Sequence, residues 1–141
     1  MIVAMATVAD SANISADGKL NILGSFDTVR SNAPVPTLPS MSFAFKLLAE
    51  SDDANRTVTI DVTLIDEDSR PLWAARATAQ IGPIPPGQFF QVPQVITLQG
   101  VRFPRPGRYR FRIRVSGVDE PYDTVLQVVR APAPPSPQQG A

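Results

Sequence analysis

The stretch RYRFRIRV, residues 108–115, alternates charged and apolar residues without a break. Because successive side chains of a β-strand point to opposite faces, this pattern predicts a strand with one buried side and one solvent-facing side. The apolar members are Tyr109, Phe111, Ile113 and Val115, and the charged members are Arg108, Arg110, Arg112 and Arg114. A second run, RTVTIDVTLI at residues 56–65, has the same period of two. The chain therefore contains at least two half-buried strands.

Extending this test to the whole chain predicts about eight strands, separated by turns rich in Pro, Gly and Asp. They lie near residues 2–9, 19–27, 41–49, 56–65, 71–80, 92–99, 107–116 and 122–129. Short strands at this spacing, with almost no helix signals, predict an all-β fold: an antiparallel immunoglobulin-like β-sandwich over residues 1–130. Residues 131–141, APAPPSPQQGA, carry too few apolar groups to fold and are predicted to form a disordered Pro-rich tail.

The segment before the arginine-rich strand supports the sandwich prediction. Residues 95–115 contain a strand, the apolar pair Val101 and Phe103, a Pro-Gly turn and then Gly-x-Tyr at the start of the next strand. Immunoglobulin-like sandwiches use a similar layout at a tyrosine corner, where the phenol of a strand-start tyrosine bonds to upstream backbone. We therefore expect the hydroxyl group of Tyr109 to bond to the backbone of the preceding turn.

The composition excludes several kinds of chemistry. The 141 residues include no cysteine and no histidine. Disulfides, thiolate metal sites, cysteine nucleophiles and histidine bases are therefore excluded. The formal net charge is zero, whereas nucleic-acid-binding domains usually carry a basic surplus. We expect a single domain with no cofactor and no nucleic-acid partner.

The amino-terminal run MIVAMATVADSA has no Lys or Arg before Lys19. A secretory signal begins with positively charged residues, so the run is not typical of one. Its apolar part is also too short to cross a bilayer. We expect a cytoplasmic protein with no membrane partner.

The stretch DGKLNILG, residues 17–24, contains a Gly-Lys pair that resembles part of a phosphate-binding loop. Such a loop needs Ser or Thr after the lysine and a helix beyond it, whereas Leu20 and a strand-like run follow Lys19. Residues 17–18 instead fit a tight turn into the second strand, since glycine tolerates positive φ. Gly24 inside that strand predicts a bulge or a close backbone approach.

Four segments of the sequence together resemble a known family. They are ADSANISADGKLNILGSFDTV at residues 9–29, MSFAFKLLAE at 41–50, LIDEDSRPL at 64–72 and PGRYRFRIRVSG at 106–117. The chain resembles a bacterial family of small, mainly β domains of unknown function. The resemblance covers most of residues 4–130, and GKLNILG is its most specific part. It implies a small β protein and brings no established activity or catalytic residue.

The row Arg108, Arg110, Arg112 and Arg114 is the sharpest surface feature of the sequence. Same-face neighbours on a strand lie about 7 Å apart, so four arginines span roughly 20 Å. Such a row would bind an acidic protein, nucleic acid or anionic lipid. The alternative is a solvated face whose arginines pair with acidic residues across the strands, for example Asp123. The zero net charge of the chain argues against nucleic acid as the partner.

A second contact surface is predicted at Phe89 and Phe90, in the proline-stiffened loop at residues 81–93. Adjacent side chains of an extended segment point to opposite faces, so at least one of the two rings would be exposed. An exposed aromatic ring in a rigid loop suits a protein contact. The alternative is that both rings cap the open end of the core.

Acidic turns raise the question of calcium, which takes six to eight oxygen ligands. If successive strands run up and down, turns carrying four aspartates meet at one end of the sandwich: Asp17, Asp52, Asp53 and Asp119. The spacing of these residues matches no ordered calcium loop. They form a weak candidate metal site.

These observations favour a non-enzymatic protein-binding or assembly module, with an unidentified protein partner or a second copy of the chain. The alternative function is a β-sandwich that binds a small ligand, calcium or a carbohydrate, at its acidic end. A hydrolase is the least favoured, because no pair of carboxylates is placed in a predicted cleft. Fold alone assigns none of these functions.

Overall fold

The computed structural model describes residues 1–32 and 36–131 of the chain, so the predicted tail lies outside the described residues except for Ala131. The strands are β1 (Ile2–Ile14), β2 (Leu20–Phe26), β3 (Thr28–Ser31), β4 (Thr37–Glu50), β5 (Arg56–Ile65), β6 (Pro71–Ile81), β7 (Phe89–Arg102), β8 (Gly107–Val115) and β9 (Tyr122–Arg130). The described helical structure is a single 3₁₀ turn at Ser51–Asp53. Within these ranges no helix is long or apolar enough to span a membrane.

The strands form two sheets, as the all-β prediction requires. The four-stranded sheet has the order β2-β1-β4-β7, and the five-stranded sheet has the order β3-β9-β8-β5-β6. The two sheets fit a sandwich-like arrangement. The described part of the chain has nine strands where about eight are predicted. One detail of the prediction is wrong: β3 pairs with β9 in parallel, so the sheets are not wholly antiparallel. The missed strand, β3, is only four residues long, too short for its alternation to be recognised.

The strand directions assign each turn to one end of the sandwich. Ile2 at the start of β1 pairs with Leu48, close to the last residue of β4. β1 therefore begins at the same end of the sandwich as the turn at residues 51–53, and we call this end the lower end and the opposite one the upper end. β1 then runs to the hairpin turn at residues 15–19, at the upper end. The turns at residues 66–70 and 103–106 also lie at the upper end, because β5 and β7 both run upward.

The hairpin of β1 and β2 is longer than the sequence predicts. Strand pairing between β1 and β4 stops at Ala9, whereas pairing between β1 and β2 continues to Ile14 and Leu20. Gly24 of this hairpin has φ of +70°, and a Cβ atom there would collide with the side chain of Asp10. The predicted close approach at Gly24 is thus confirmed, and any larger residue would strain the hairpin.

The core lies between the two sheets and is built from the inward side of each strand. Phe43 of β4 stacks on Phe111 of β8, with ring centroids 4.4 Å apart. Trp73 of β6 meets Phe111 edge-on at 6.3 Å. The inward residues of β5 and β8 predicted from alternation are all buried: Val58, Ile60, Val62, Leu64, Tyr109, Phe111, Ile113 and Val115. Each large apolar side chain buried in this way contributes about 1.5–3 kcal/mol.

The tyrosine corner is confirmed. The hydroxyl group of Tyr109 donates a hydrogen bond to the backbone oxygen of Arg105 at 2.5 Å and accepts one from the Arg105 N–H at 3.4 Å. The ring packs edge-on against Phe103, with centroids 5.0 Å apart. The corner therefore ties the turn between β7 and β8 to the core.

Replacing Tyr109 with Phe is expected to lower the free energy of unfolding by about 1 kcal/mol, because the ring stays but the Arg105 backbone groups lose their hydrogen-bond partner. Urea unfolding followed by tryptophan fluorescence measures the change. Tyr122→Phe is the matched control at the other tyrosine, which is partly exposed, and it is expected to change stability by less than about 0.5 kcal/mol. Equal effects of the two variants would contradict the role of the corner.

Candidate functional site

The four predicted arginines lie on one exposed face of the sandwich. β8 is the central strand of the five-stranded sheet, and its inward residues, such as Phe111, are buried. The alternating arginines therefore point away from the core. Arg108 and Arg114, at the two ends of the row, are exposed, whereas Arg110 and Arg112 are half-buried by their neighbours.

Neighbouring strands add further charge to this outer face, which we call the arginine face. Register and alternation place six arginines and two aspartates on it: Arg30, Arg76, Arg108, Arg110, Arg112, Arg114, Asp61 and Asp123. The face thus has a surplus of four positive charges, although the chain as a whole is neutral. Sequence reasoning missed Arg30 and Arg76, because their membership depends on strand register.

The middle of the row is paired within the sheet. Arg112 donates two hydrogen bonds of 2.9 Å from Nε and Nη2 to the two carboxylate oxygens of Asp123. Arg110 Nη1 lies 3.6 Å from the same carboxylate. On the same face, Arg76 Nε of β6 donates a hydrogen bond of 2.7 Å to Asp61 of β5. The predicted cross-strand pairing with Asp123 is therefore confirmed for the inner two arginines.

This pairing changes the acidity of the carboxyl group. The bonded Arg112 guanidinium holds the pKa of Asp123 below its ordinary value of 3.8, against the opposing effect of partial burial. The charges of Arg110 and Arg114 act in the same direction as Arg112. Asp123 therefore remains ionised down to a lower pH in the folded chain than in the unfolded chain.

Arg108 and Arg110 line a shallow depression of about 290 Å³, which Glu67 and Val125 complete. A second depression of about 220 Å³, lined partly by Asp27 and Gln127, shares Arg108 and Val125 with the first. Val125 is 51% exposed. This end of the arginine face thus combines cationic side chains with an apolar contact, which the strand pattern alone did not reveal.

The upper turns hold this end of the face in place. Glu67 Oε1 accepts a 2.9 Å hydrogen bond from the backbone N–H of Arg108. Its approach requires the neighbouring Gly107, where a Cβ atom would lie 2.9 Å from Glu67 Oε1. Arg105 Nη2 bonds to Asp68 at 2.8 Å, linking the same two turns. Among the described residues, the Arg108 side chain has no ion-pair partner.

Phe89 and Phe90 belong to β7 and not to a loop as predicted. Phe89 is 63% exposed and Phe90 is 62% exposed, so neither ring caps the core. Both lie at the lower end of β7, the edge strand of the four-stranded sheet. They are therefore far from the depression at Arg108, which is at the upper end of the other sheet.

The four aspartates proposed as a metal site do not come together. Asp17 lies at the upper end beside Lys19, with its Oδ2 atom 3.2 Å from the ammonium group. Asp53 lies at the lower end, where it bonds to Arg56 at 2.9 Å and to the Glu50 N–H at 3.0 Å. In the part of the chain that the structure describes, no three acidic residues are grouped as a metal site would require.

The missed strand explains this error. Counting eight alternating strands places the turn at Asp17 at the same end as Asp53, whereas β3 inserts one more reversal between them. Asp52 and Asp119 do lie at the lower end with Asp53. The loop after β8 reaches that end, since the Ser116 N–H bonds to the Thr59 oxygen near the start of β5.

The comparison with known proteins matches one family. The model of a family of unknown function, DUF6941, matches residues 4–128. The matched range includes the quoted stretch GKLNILG and all four arginines of β8. No curated protein matches the chain.

The Asp123→Asn variant tests the pairing at the centre of the face. Since folding lowers the pKa of Asp123, the ionised carboxylate stabilises the folded state above the ordinary pKa of 3.8, and this stabilisation is lost as the pH falls through the folded-state value. At pH 7 the variant is expected to be about 0.5–1 kcal/mol less stable than the wild type.

Urea unfolding between pH 7 and pH 3 measures this difference, which is expected to shrink towards zero at the acidic end. Asp119→Asn, an exposed position with the same charge change, is the control and is expected to differ by less than about 0.5 kcal/mol throughout. A constant deficit of Asp123→Asn across this pH range would contradict the electrostatic origin of the effect.

Proposed function

Because the chain belongs to a family of unknown function, the family assigns it no activity, and we propose from its geometry that it is a non-enzymatic module that binds an acidic segment of a partner protein. The observation that carries this proposal is the surplus of positive charge on the arginine face of a chain with no net charge. Binding is favoured over catalysis because an arginine stays protonated in proteins and cannot act as a general base.

The upper end of the arginine face is the proposed contact. Arg110 lies opposite Val125, and Arg108 lies opposite Gln127. The two arginines are about 7 Å apart along β8, which is also the spacing of alternate residues in an extended peptide. A partner segment with carboxylates at every second position would thus present both carboxylates on one side and pair with both arginines. Each guanidinium offers two parallel donors to a carboxylate.

An acidic protein fits this surface better than nucleic acid does. Asp123 already neutralises the centre of the row, and Glu67 and Asp27 border the depression. A phosphate backbone passing along the face would meet these carboxylates, which repel its phosphates. A short carboxylate segment needs only the two arginines at the upper end.

The immunoglobulin-like assignment is part of the same proposal. The hydrogen bond between Tyr109 and Arg105 supports it, because a tyrosine near the start of strand F makes such a bond in immunoglobulin folds. The order β9-β8-β5 corresponds to strands G, F and C of that fold, and the neighbours β4 and β7 correspond to strands B and E. Sandwiches of this class commonly serve as binding domains in other proteins, so the assignment agrees with a binding role.

The test is capture of partners from nuclease-treated lysate of the source organism, quantified by mass spectrometry. The double variant Arg108→Gln plus Arg110→Gln is expected to reduce recovery of the partner by at least about fivefold, because it removes two charge-assisted contacts. Asp123→Asn is expected to increase recovery, because it releases Arg110 and Arg112 from their internal carboxylate.

The matched control is Arg76→Gln plus Arg102→Gln, which makes the same change in charge at exposed positions outside the depression. It is expected to leave recovery unchanged within about twofold, and thermal unfolding checks that both double variants fold. Equal losses in the two double variants would assign the capture to overall charge. A partner recovered only without nuclease treatment would assign the face to nucleic acid. Either result would overturn the proposal.

A further inference from the structure

β6 differs from the other three edge strands of the two described sheets. Native sheets protect their free edges with short strands, bulges, glycine or proline. β3 is four residues long, β2 contains Gly24 at positive φ, and β7 contains Pro93 and Gly100. By contrast, residues 73–81 of β6, WAARATAQI, include no Pro or Gly and pair with β5 without a register shift. β6 therefore offers a long, regular edge for pairing with a further strand.

The inward side of β6 is incompletely covered. Ala75 and Ala77 point towards the core but are half-buried, whereas the residues that pair with them on β5, Val62 and Ile60, are fully buried. Trp73, the single tryptophan of the chain, is also half-buried. A strand added beside β6 would cover both the free backbone groups of the edge and this part of the core.

We propose that two copies of this chain pair edge to edge through β6, in antiparallel orientation. The two-fold axis is perpendicular to the sheet and passes between Ala77 of one copy and the partner's Ala77. The two five-stranded sheets then form one sheet of ten strands, which is within the usual size of open sheets.

The side chains of β6 are self-complementary about this axis. On the inward side Trp73 lies opposite the partner's Ile81, an aromatic residue against a β-branched one, and Ala75 lies opposite the partner's Ala79. On the outward side Arg76 lies opposite the partner's Thr78. Such cross-strand pairs stabilise a sheet, and no two like charges face each other directly. This self-complementarity favours a second copy over an unrelated strand as the occupant of the edge.

The register is restricted by the same residues. Opposite residues must point to the same face of the sheet, so the axis must pass through a residue position and not between two of them. An axis at Arg76 would place two guanidinium groups directly opposite each other, which is unfavourable. The axis at Ala77 is the one that pairs all nine residues from Trp73 to Ile81.

The charge of the arginine face permits this arrangement. Arg76 is the single charged residue of the nine, and its guanidinium is bonded to Asp61 within its own sheet. The arginine row of β8 is separated from the partner's row by five strand spacings, roughly 24 Å. That distance is about three Debye lengths at physiological ionic strength, so repulsion between the two rows is largely screened.

The size of the contact predicts a weak dimer. Nine residues extend about 27 Å, and one sheet with its side chains is about 10 Å thick, so the projected area is on the order of 270 Å² per copy. A standard interface buries about 800 Å² per partner. Most of the affinity must therefore come from main-chain hydrogen bonds along the edge, as in other cases of strand addition.

The geometry is tested first by disulfide trapping, because the chain has no cysteine of its own. Ala77→Cys places two thiols directly opposite each other, about 5 Å apart at Cβ. Ala75→Cys is the matched control, half-buried on the same side of β6, and its two thiols would lie four residues apart, about 13 Å. Disulfides need Cα atoms within about 7 Å, so under mild oxidation Ala77→Cys is expected to form a covalent dimer at least about tenfold faster.

Sedimentation equilibrium of the full chain, at up to about 1 mM protein, tests the charge pairing. Thr78→Arg is expected to raise the dimer Kd at least about fivefold, because it faces the partner's Arg76 twice in the symmetric interface. Thr78→Glu is expected to lower the Kd by a similar factor for the same reason. The controls are Thr97→Arg and Thr97→Glu, at an exposed position on β7, and both are expected to leave the Kd unchanged within about twofold.

The double variant Arg108→Gln plus Arg110→Gln is expected to dimerise like the wild type, so the dimer and the acidic partner are tested separately. Two results would overturn the proposal. One is equal cross-linking, or none, in Ala77→Cys and Ala75→Cys. The other is a wild type that stays monomeric up to about 1 mM, or a Kd that Thr78→Arg and Thr78→Glu do not shift in opposite directions. Thermal unfolding of each variant separates loss of association from loss of folding.

Discussion

The stack of Phe43 on Phe111 is the contact on which the arrangement of the two sheets depends. Their rings lie 4.4 Å apart at an interplanar angle of 11°, and each ring sits on an inner strand of its own sheet. Because side chains alternate along a strand, fixing these two rings inward also fixes which residues of β4 and β8 face outward. The same contact thus orients the arginines on one side of the molecule and the small residues of β4 on the other.

The two outer faces therefore differ in charge, although the strands that form them alternate in the same way. β8 alternates apolar residues with arginines, and its outward side carries charge that Asp123 only partly neutralises. β4 alternates large apolar residues with Ser42, Ala44 and Lys46, and its outward side is nearly neutral. A face charged with one sign keeps copies of the chain apart and attracts carboxylates.

Sequence reasoning succeeded where a residue's role depends on its own strand. The bounds of β5 were predicted without error, and Tyr109 bonds to its turn as expected, because alternation and turn signals are local. It failed where position depends on the path of the whole chain. β3 is held by its parallel pairing with β9, about a hundred residues away, and four residues carry no readable period. Missing that strand reversed the predicted direction of β1 and moved Asp17 to the wrong end.

The faces themselves were harder to predict than the strands, for a physical reason. A face is assembled from side chains that meet across strands, so its composition depends on register, and a shift of one residue exchanges the two sides of a strand. Val125 joins Arg110 only because β9 pairs with β8 in one particular register. Thr7, Ala44 and Val95 likewise form a row through two separate pairings. Each of these strands shows its alternation in the sequence, but the sequence of one strand does not determine which residues of the neighbouring strands pair with it.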